Sequence, residues 1–167
     1  LFVPFGAYRE DEITKPRARL IDRRVAVRLG GIDRVAPLER RVHLMGGETL
    51  DYDLLIVATG SRILPEQTPG LTGPGWRETA FDFYSLEGAV ALRDKLADFR
   101  GGRLVVNVVE MPIKCPVAPL ELLFLAEAFF TQRGLRDKVE IVYATPLEGA
   151  FTKPRASAML GNLLASR

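Results

Sequence analysis

The sequence has very few of the residues that form metal centres or disulfide frameworks. It contains one cysteine, Cys115, and one histidine, His43, in 167 residues. A single cysteine excludes an internal disulfide framework, and no Cys/His cluster has metal-site spacing. His43 lies in the strand-like sequence 41–44, where a structural role is expected. Apart from its one thiol, the chain is therefore not expected to use cysteine or metal chemistry.

The sequence also lacks a strong excess of either charge and a long hydrophobic run. Lys and Arg number 23 against 21 Asp and Glu, which gives a net charge of +2. This mixed balance does not indicate a nucleic-acid partner, and the basic residues between 15 and 41 are expected to be solvated. The longest apolar run, residues 120–130, is too short to span a bilayer and contains two glutamates. We therefore expect a soluble chain.

The two ends of the sequence show no natural boundary. The chain begins with Leu1, and a helix predicted to start at residues 153–154 runs to the end without a stop signal. We therefore expect a chain that is cut at both ends, in which the absence of a targeting segment means little.

The first 60 residues predict short strands and little helix. Residues 52–59 carry the strongest strand signal, because they are apolar on both faces, as in a central parallel strand. Before them, an antiparallel meander is predicted, with a turn at Gly46 and Gly47. The other predicted elements are the end of a strand at residues 1–3, a short helix at 16–23 and strands at 24–28, 32–35 and 41–44.

The rest of the sequence predicts an α/β unit after a loop at residues 61–76. A helix is expected to begin after Ser85, which is a favourable N-cap residue, and to end before Gly101 and Gly102. A strand at 103–109, a helix at 119–133 and a strand at 139–143 then have the order of a βαβ unit, with Gly134 ending its helix. The fold class is therefore predicted to be α/β.

Cys115 lies in the loop that joins this strand to this helix. In a dinucleotide-binding domain the loop has the sequence G-x-G-x-x-G, but here residues 111–119 contain three prolines instead. Lys114 and the following helix N-terminus favour the reactive thiolate, and the prolines restrict the loop. The alternative is an inert cysteine in the core. We predict a reactive thiol on a stiff loop that binds phosphate poorly.

A second candidate site is the sequence Ala58-Thr59-Gly60 after the predicted central strand. Small residues at the carboxyl end of a parallel strand let the backbone approach a ligand, although an ordinary strand and turn would have the same sequence. Residues 46–60 together resemble the second flavin-domain signature of flavoproteins with two dinucleotide-binding domains. In those proteins a segment similar to Val3 and Pro4 also contacts the flavin. The predicted cofactor-binding residues are therefore Val3, Pro4, Ala58, Thr59 and Gly60.

The sequence around Cys115, together with residues 134–140, resembles the sulfide:quinone oxidoreductase family. It is also similar to the flavoprotein subunit of flavocytochrome c sulfide dehydrogenase. The resemblance covers nearly the whole chain and implies a Rossmann-like flavoprotein with two dinucleotide-binding domains. Residues 1–76 would then be part of an FAD-binding domain without its first βαβ unit. Residues 77–167 would be an incomplete second domain that carries the redox cysteine.

The resemblance also implies a chemistry. Such proteins bind FAD, oxidise sulfide to sulfur or polysulfide and pass electrons to a quinone, with peripheral membrane contact through a C-terminal region. Cys115 corresponds to a redox cysteine of the family, and its partner cysteine would lie outside this chain. Sulfide would attack the sulfur-bridged pair and leave a persulfide and a thiolate. Glu121 corresponds to an acidic residue of the family and is either a proton acceptor or a carboxylate favoured by the helix dipole.

The sequence departs from the family in two respects and leaves other functions open. Neither the pyrophosphate loop nor the quinone-binding end of the family is present in these residues, so both are implied by the resemblance alone. Many members have a third cysteine in the segment that corresponds to residues 79–84, which has none here. This indicates a subtype with two cysteines or a relative with altered chemistry. The alternative enzyme is an NAD(P)H-dependent flavoprotein such as an NADH:quinone reductase, which the missing glycine loop disfavours. A third possibility is a non-catalytic fragment, and the isolated chain is expected to bind FAD weakly or not at all.

Overall fold

The computed structural model describes residues 1–167 and separates them into two units. The larger unit comprises Leu1–Thr14 and Arg62–Arg167, and the smaller unit is Lys15–Ser61. The predicted division into residues 1–76 and 77–167 stays a prediction. In chain order the elements are α1 (Glu10–Ile13), β1 (Ile32–Ala36), β2 (Arg41–Leu44), β3 (Thr49–Asp51), α2 (Leu86–Asp98), β4 (Gly102–Asn107), α3 (Ala118–Gln132), β5 (Val139–Ala144) and α4 (Pro154–Ala165).

The larger unit contains the predicted βαβ arrangement. Strands β4 and β5 pair in parallel from Gly102 opposite Val139 to Asn107 opposite Ala144. Helix α3 is the crossover between them, because two parallel neighbours cannot be joined by a tight turn. Gly134 follows α3 with φ +65°, a left-handed conformation that ends helices and suits glycine. The predicted α/β fold class is therefore observed, with element bounds close to those expected from the sequence.

The core of the larger unit is built around α3. Ala126 and Phe130 are completely buried, and Leu120 is 1% exposed. They belong to a helix that is apolar around most of its surface, as expected for a helix packed on several sides. The core also includes Leu92 and Leu96 of α2, Val106 of β4 and Val139 of β5.

Helices α2 and α4 begin where the sequence predicts them. The Ser85 hydroxyl accepts a hydrogen bond from the Gly88 amide at 3.0 Å, which satisfies one free donor of the first turn of α2. Pro154 occupies the first turn of α4, where its missing N–H costs nothing. None of the helices is long and apolar enough to cross a membrane.

The smaller unit is the predicted antiparallel meander. Its three strands have the order β1-β2-β3, and Val42 of β2 lies opposite both Val35 and Leu50. His43 has the expected structural position in β2, where its Nδ1 lies 3.2 Å from the Thr49 hydroxyl. Side chains along a strand point alternately to its two faces, so a slip of one residue in the strand pairing would expose the buried Val42. This alternation sets the register of the meander.

Several predicted elements of the first 60 residues are wrong. Residues 52–59 form no strand, and Leu54, Ile56 and Val57 are 80%, 78% and 69% exposed. A strand exists only where hydrogen-bonded neighbours satisfy its backbone, and no strand pairs with this segment. For the same reason residues 24–28 remain irregular. Residues 16–23 contain only a 3-10 turn at Arg17–Arg19, and residues 1–3 lead into another at Val3–Phe5.

Candidate functional site

The loop between β4 and α3 begins at the carboxyl end of the parallel strand pair. The Val108 amide donates a hydrogen bond to the Ala144 carbonyl at 2.8 Å, which continues the pairing beyond β4. The chain then leaves the sheet through a proline-rich segment that contains a cis peptide bond between Met111 and Pro112. In open α/β sheets, ligands bind outside this carboxyl edge. The loop therefore lies where a functional site is expected.

Cys115 lies at the outer side of this loop and is exposed. Its backbone has φ +50°, a left-handed conformation that is unusual for a residue with a side chain. Its carbonyl oxygen accepts two hydrogen bonds, one from the Ala118 amide at 3.0 Å and one from the Tyr84 hydroxyl at 3.3 Å. The exposure excludes the alternative of a buried core cysteine. The predicted catalytic role of Cys115 stays a prediction.

The N-terminal turn of α3 carries Glu121 six residues after Cys115. Glu121 is exposed and forms no ion pair, and Lys114 next to the cysteine is exposed as well. The free amides of this turn and the helix dipole create positive potential near the loop. Both predicted catalytic residues, Cys115 and Glu121, are thus at one helix terminus and accessible to small molecules. The predicted catalytic role of Glu121 stays a prediction.

Tyr84 is held by a compact turn before α2. The Asp82 carboxylate accepts hydrogen bonds from the amides of Tyr84 at 3.1 Å and Ser85 at 2.8 Å. It also forms an ion pair with Arg77 at 2.9 Å, and the Asp82 side chain is only 9% exposed. A side chain on Gly88 would collide with Asp82 and Arg77, so this close approach requires glycine. The turn therefore has little freedom to move the tyrosine away from the cysteine loop.

Burial raises the pKa of the Tyr84 hydroxyl from 10.0 to about 12, and the nearby charges of Cys115 and Tyr143 add to the shift. The phenol is protonated throughout the physiological range, as it would also be at its ordinary pKa of 10.0. The protonated hydroxyl can therefore donate its hydrogen bond to the Cys115 carbonyl oxygen.

We expect the free energy of unfolding to fall as the pH rises from about 10 to about 12. In that window the unfolded state has lost the Tyr84 proton while the folded state still binds it. Each further rise in pH therefore lowers the free energy of unfolding. Urea midpoints of the wild-type chain and Tyr84→Phe across this range test the effect. The variant should lose less stability than the wild type. Parallel curves for the two proteins would show that the Tyr84 pKa is not raised.

The remaining predicted site residues are divided between the two units. Ala58, Thr59 and Gly60 are exposed in the smaller unit, and Gly60 has φ +73° with open space around it. Val3 and Pro4 are buried in the larger unit, in a turn whose Phe5 ring lies 5.6 Å from that of Phe129. The backbone of residues 58–60 is exposed, and its predicted role in binding a cofactor stays a prediction. Val3 and Pro4 are buried, so their predicted contact with a cofactor stays a prediction.

The sequence did not indicate Arg77, Asp82 or Tyr84 as part of a site. Tyr84 and Cys115 are 31 positions apart, and no local pattern connects them. The one available signal was Asp82 three positions before the predicted N-cap Ser85, a spacing typical of a side-chain turn. No group of His, Cys, Asp and Glu side chains in the structure could hold a metal ion.

Comparison with known proteins gives a consistent set of relatives, although no family model matches the sequence. The chain is 28% identical over 138 residues to the mitochondrial sulfide:quinone oxidoreductase of Mus musculus, which covers 81% of this chain and 31% of that protein. The corresponding protein of Dictyostelium discoideum is 24% identical over 132 residues, covering 78% and 29%. The chain thus spans about a third of the length of these curated relatives.

The fold is similar to a solved structure over almost the whole chain. The X-ray structure of the sulfide:quinone oxidoreductase from the hyperthermophilic bacterium Aquifex aeolicus matches with a TM-score of 0.76 and 21% sequence identity. The match covers 98% of this chain and 38% of that one. The predicted Rossmann-like fold class is confirmed by this likeness.

Proposed function

We propose that the protein containing this chain oxidises sulfide and transfers the electrons to a quinone, with FAD as cofactor. The proposal is supported by the resemblance of the chain to sulfide:quinone oxidoreductases in sequence and in fold. The observation that carries the proposal is the exposed Cys115 at the carboxyl edge of the β4–β5 pair. A nucleotide-binding protein has a glycine loop there, whereas this loop presents a thiol between prolines.

Cys115 supplies the sulfur chemistry of the proposal. The chain has no other cysteine, so Cys115 can form a disulfide only with a thiol outside residues 1–167. Hydrosulfide attack on one sulfur of that pair forms a new S–S bond there, breaks the bond between the cysteines and expels the other sulfur as a thiolate. The attacked cysteine becomes a persulfide, and the expelled thiolate carries the electron pair of the broken bond. Either cysteine can take either role.

The other predicted residues have supporting roles in the proposal. Ala58, Thr59 and Gly60 offer exposed backbone to the cofactor, whereas Val3 and Pro4 are buried and their predicted contact with the flavin stays a prediction. FAD, when bound, supplies a two-electron acceptor that can deliver electrons to a quinone. Glu121 takes the proton that hydrogen sulfide releases, because its carboxylate is exposed beside the Cys115 loop. A quinone acceptor resides in a bilayer, so the proposal includes peripheral membrane contact.

An anaerobic titration of the FAD-loaded protein that contains this chain tests the proposal. Sulfide is expected to bleach the absorbance of the oxidised flavin, and a quinone added afterwards is expected to restore it. NADH at the same concentrations should leave the flavin oxidised, because the β4–α3 loop lacks the glycines that let a backbone approach a pyrophosphate. Bleaching by NADH without bleaching by sulfide would replace the proposal by an NADH-dependent reductase.

A further inference from the structure

We propose that Tyr84 is a positioning residue that holds Cys115 in its left-handed backbone conformation and thereby directs the sulfur. The catalytic consequence of this positioning, a faster reaction with sulfide, rests on the proposed function. The structural part of the inference concerns only the link between the turn before α2 and the cysteine loop, which can be measured without sulfide or FAD.

The link acts on the carbonyl group of the cysteine itself. The Tyr84 hydroxyl and the Ala118 amide both donate to this oxygen, at 3.3 Å and 3.0 Å. A left-handed conformation is disfavoured for any residue with a Cβ atom, and Cys115 adopts it with φ +50°. Such a conformation persists only where surrounding contacts fix it. The two hydrogen bonds are the contacts that fix the carbonyl end of this residue.

Tyr84 is itself rigidly held, which makes it an effective anchor. The nearly buried Asp82 carboxylate binds the Tyr84 amide and is in turn paired with Arg77. The Tyr84 ring also stacks on Phe83 with a centroid distance of 4.7 Å. The phenol keeps its proton at every physiological pH, so the hydroxyl remains a hydrogen-bond donor. A constant donor on a fixed turn is suited to holding the loop in one conformation.

The consequence concerns the direction of the thiol. The position of Cβ is set by the backbone conformation, so fixing the Cys115 carbonyl limits the directions in which Sγ can point. Displacement at sulfur depends on the alignment of the attacking and leaving atoms, and an orientation fixed in advance lowers the barrier. Loss of the Tyr84 hydroxyl should therefore slow the reaction without weakening the binding of sulfide, which Tyr84 does not need to contact.

Tyr84→Phe tests the structural part in the 167-residue chain. The variant keeps the ring and its stacking on Phe83 but removes the hydroxyl. The hydrogen exchange rate of the Ala118 amide is expected to rise about fivefold. The amide keeps its own bond to the Cys115 carbonyl, but loss of the neutral Tyr84 hydrogen bond makes local opening of the loop easier. The Phe130 amide in the core serves as an internal reference and should be unchanged. Tyr143→Phe is the matched control, because Tyr143 lies near Tyr84 but its hydroxyl makes no hydrogen bond to the loop.

The catalytic part is tested in the FAD-loaded protein that contains this chain. Tyr84→Phe is expected to lower kcat for sulfide-dependent flavin reduction about fivefold and to leave the KM for sulfide unchanged. Unaltered Ala118 exchange would overturn the inference whatever the protein does with sulfide. Faster exchange with an unaltered kcat would show a merely structural bond and would also overturn it. Faster exchange in a protein that does not oxidise sulfide would uphold the anchoring by Tyr84 and reject the proposed function.

Discussion

Replacement of Cys115 by serine is expected to abolish sulfide-dependent flavin reduction in the FAD-loaded protein. A hydroxyl cannot form a disulfide, so hydrosulfide would find no electrophilic sulfur on this loop. We expect kcat/KM for sulfide to fall by at least about a thousandfold, as when the reacting group of a catalytic unit is removed. Stopped-flow absorbance of the oxidised flavin under anaerobic conditions measures the effect.

The effect can be separated from damage to the fold. Cys115 is exposed, and serine differs from it by one atom, so packing should be unaffected. Reduction of the variant's flavin by dithionite should proceed at the wild-type rate. Met159→Ser is a matched control, because it removes another exposed sulfur, 67% accessible, from α4. Sulfide-dependent reduction that survives in Cys115→Ser would refute the role of this thiol.

Phe130→Ala is expected to have the largest effect on stability. The Phe130 ring is completely buried, with the rings of Phe99 and Phe129 at centroid distances of 5.7 and 5.4 Å. Removing it leaves a cavity between α3 and its neighbours in addition to the lost transfer free energy. The free energy of unfolding should fall by about 3–5 kcal/mol. Urea unfolding of the 167-residue chain, followed by circular dichroism, measures the change.

Phe2→Ala provides the comparison for the core substitution. Phe2 is 50% exposed and has one ring contact, edge-on to Tyr8 at 5.8 Å. Its removal opens no enclosed cavity, and the loss should be below about 1 kcal/mol. Equal losses for Phe130→Ala and Phe2→Ala would mean that α3 is not the centre of the core.

Local sequence signals determined the elements that position the cysteine. Ser85 predicted the start of α2, Gly134 predicted the end of α3, and the apolar runs on either side of the proline loop predicted β4 and α3. These predictions succeeded because a cap, a left-handed glycine or a buried helix acts within a few residues. The same local reasoning placed Cys115 in a loop before a helix terminus, and the structure agrees.

Strands without partners could not be predicted from their own residues. Residues 52–59 are as apolar as a central strand, yet they remain irregular and exposed. Composition indicates whether a segment suits a sheet, whereas hydrogen-bonded neighbours decide whether it becomes a strand. For residues 24–28 the outcome is the same, with Val25 and Val27 56% and 45% exposed.

By itself, the sequence determined the βαβ order, the helix ends and the place of the only thiol, because each depends on neighbours within one or two turns of the chain. Tertiary structure alone decided that Tyr84, 31 positions away, reaches the carbonyl of Cys115. It also decided that Arg77 and Asp82 fix that tyrosine and that Val3 and Pro4 are buried. Such contacts depend on how helices and turns pack against one another, and the packing is a property of the whole unit.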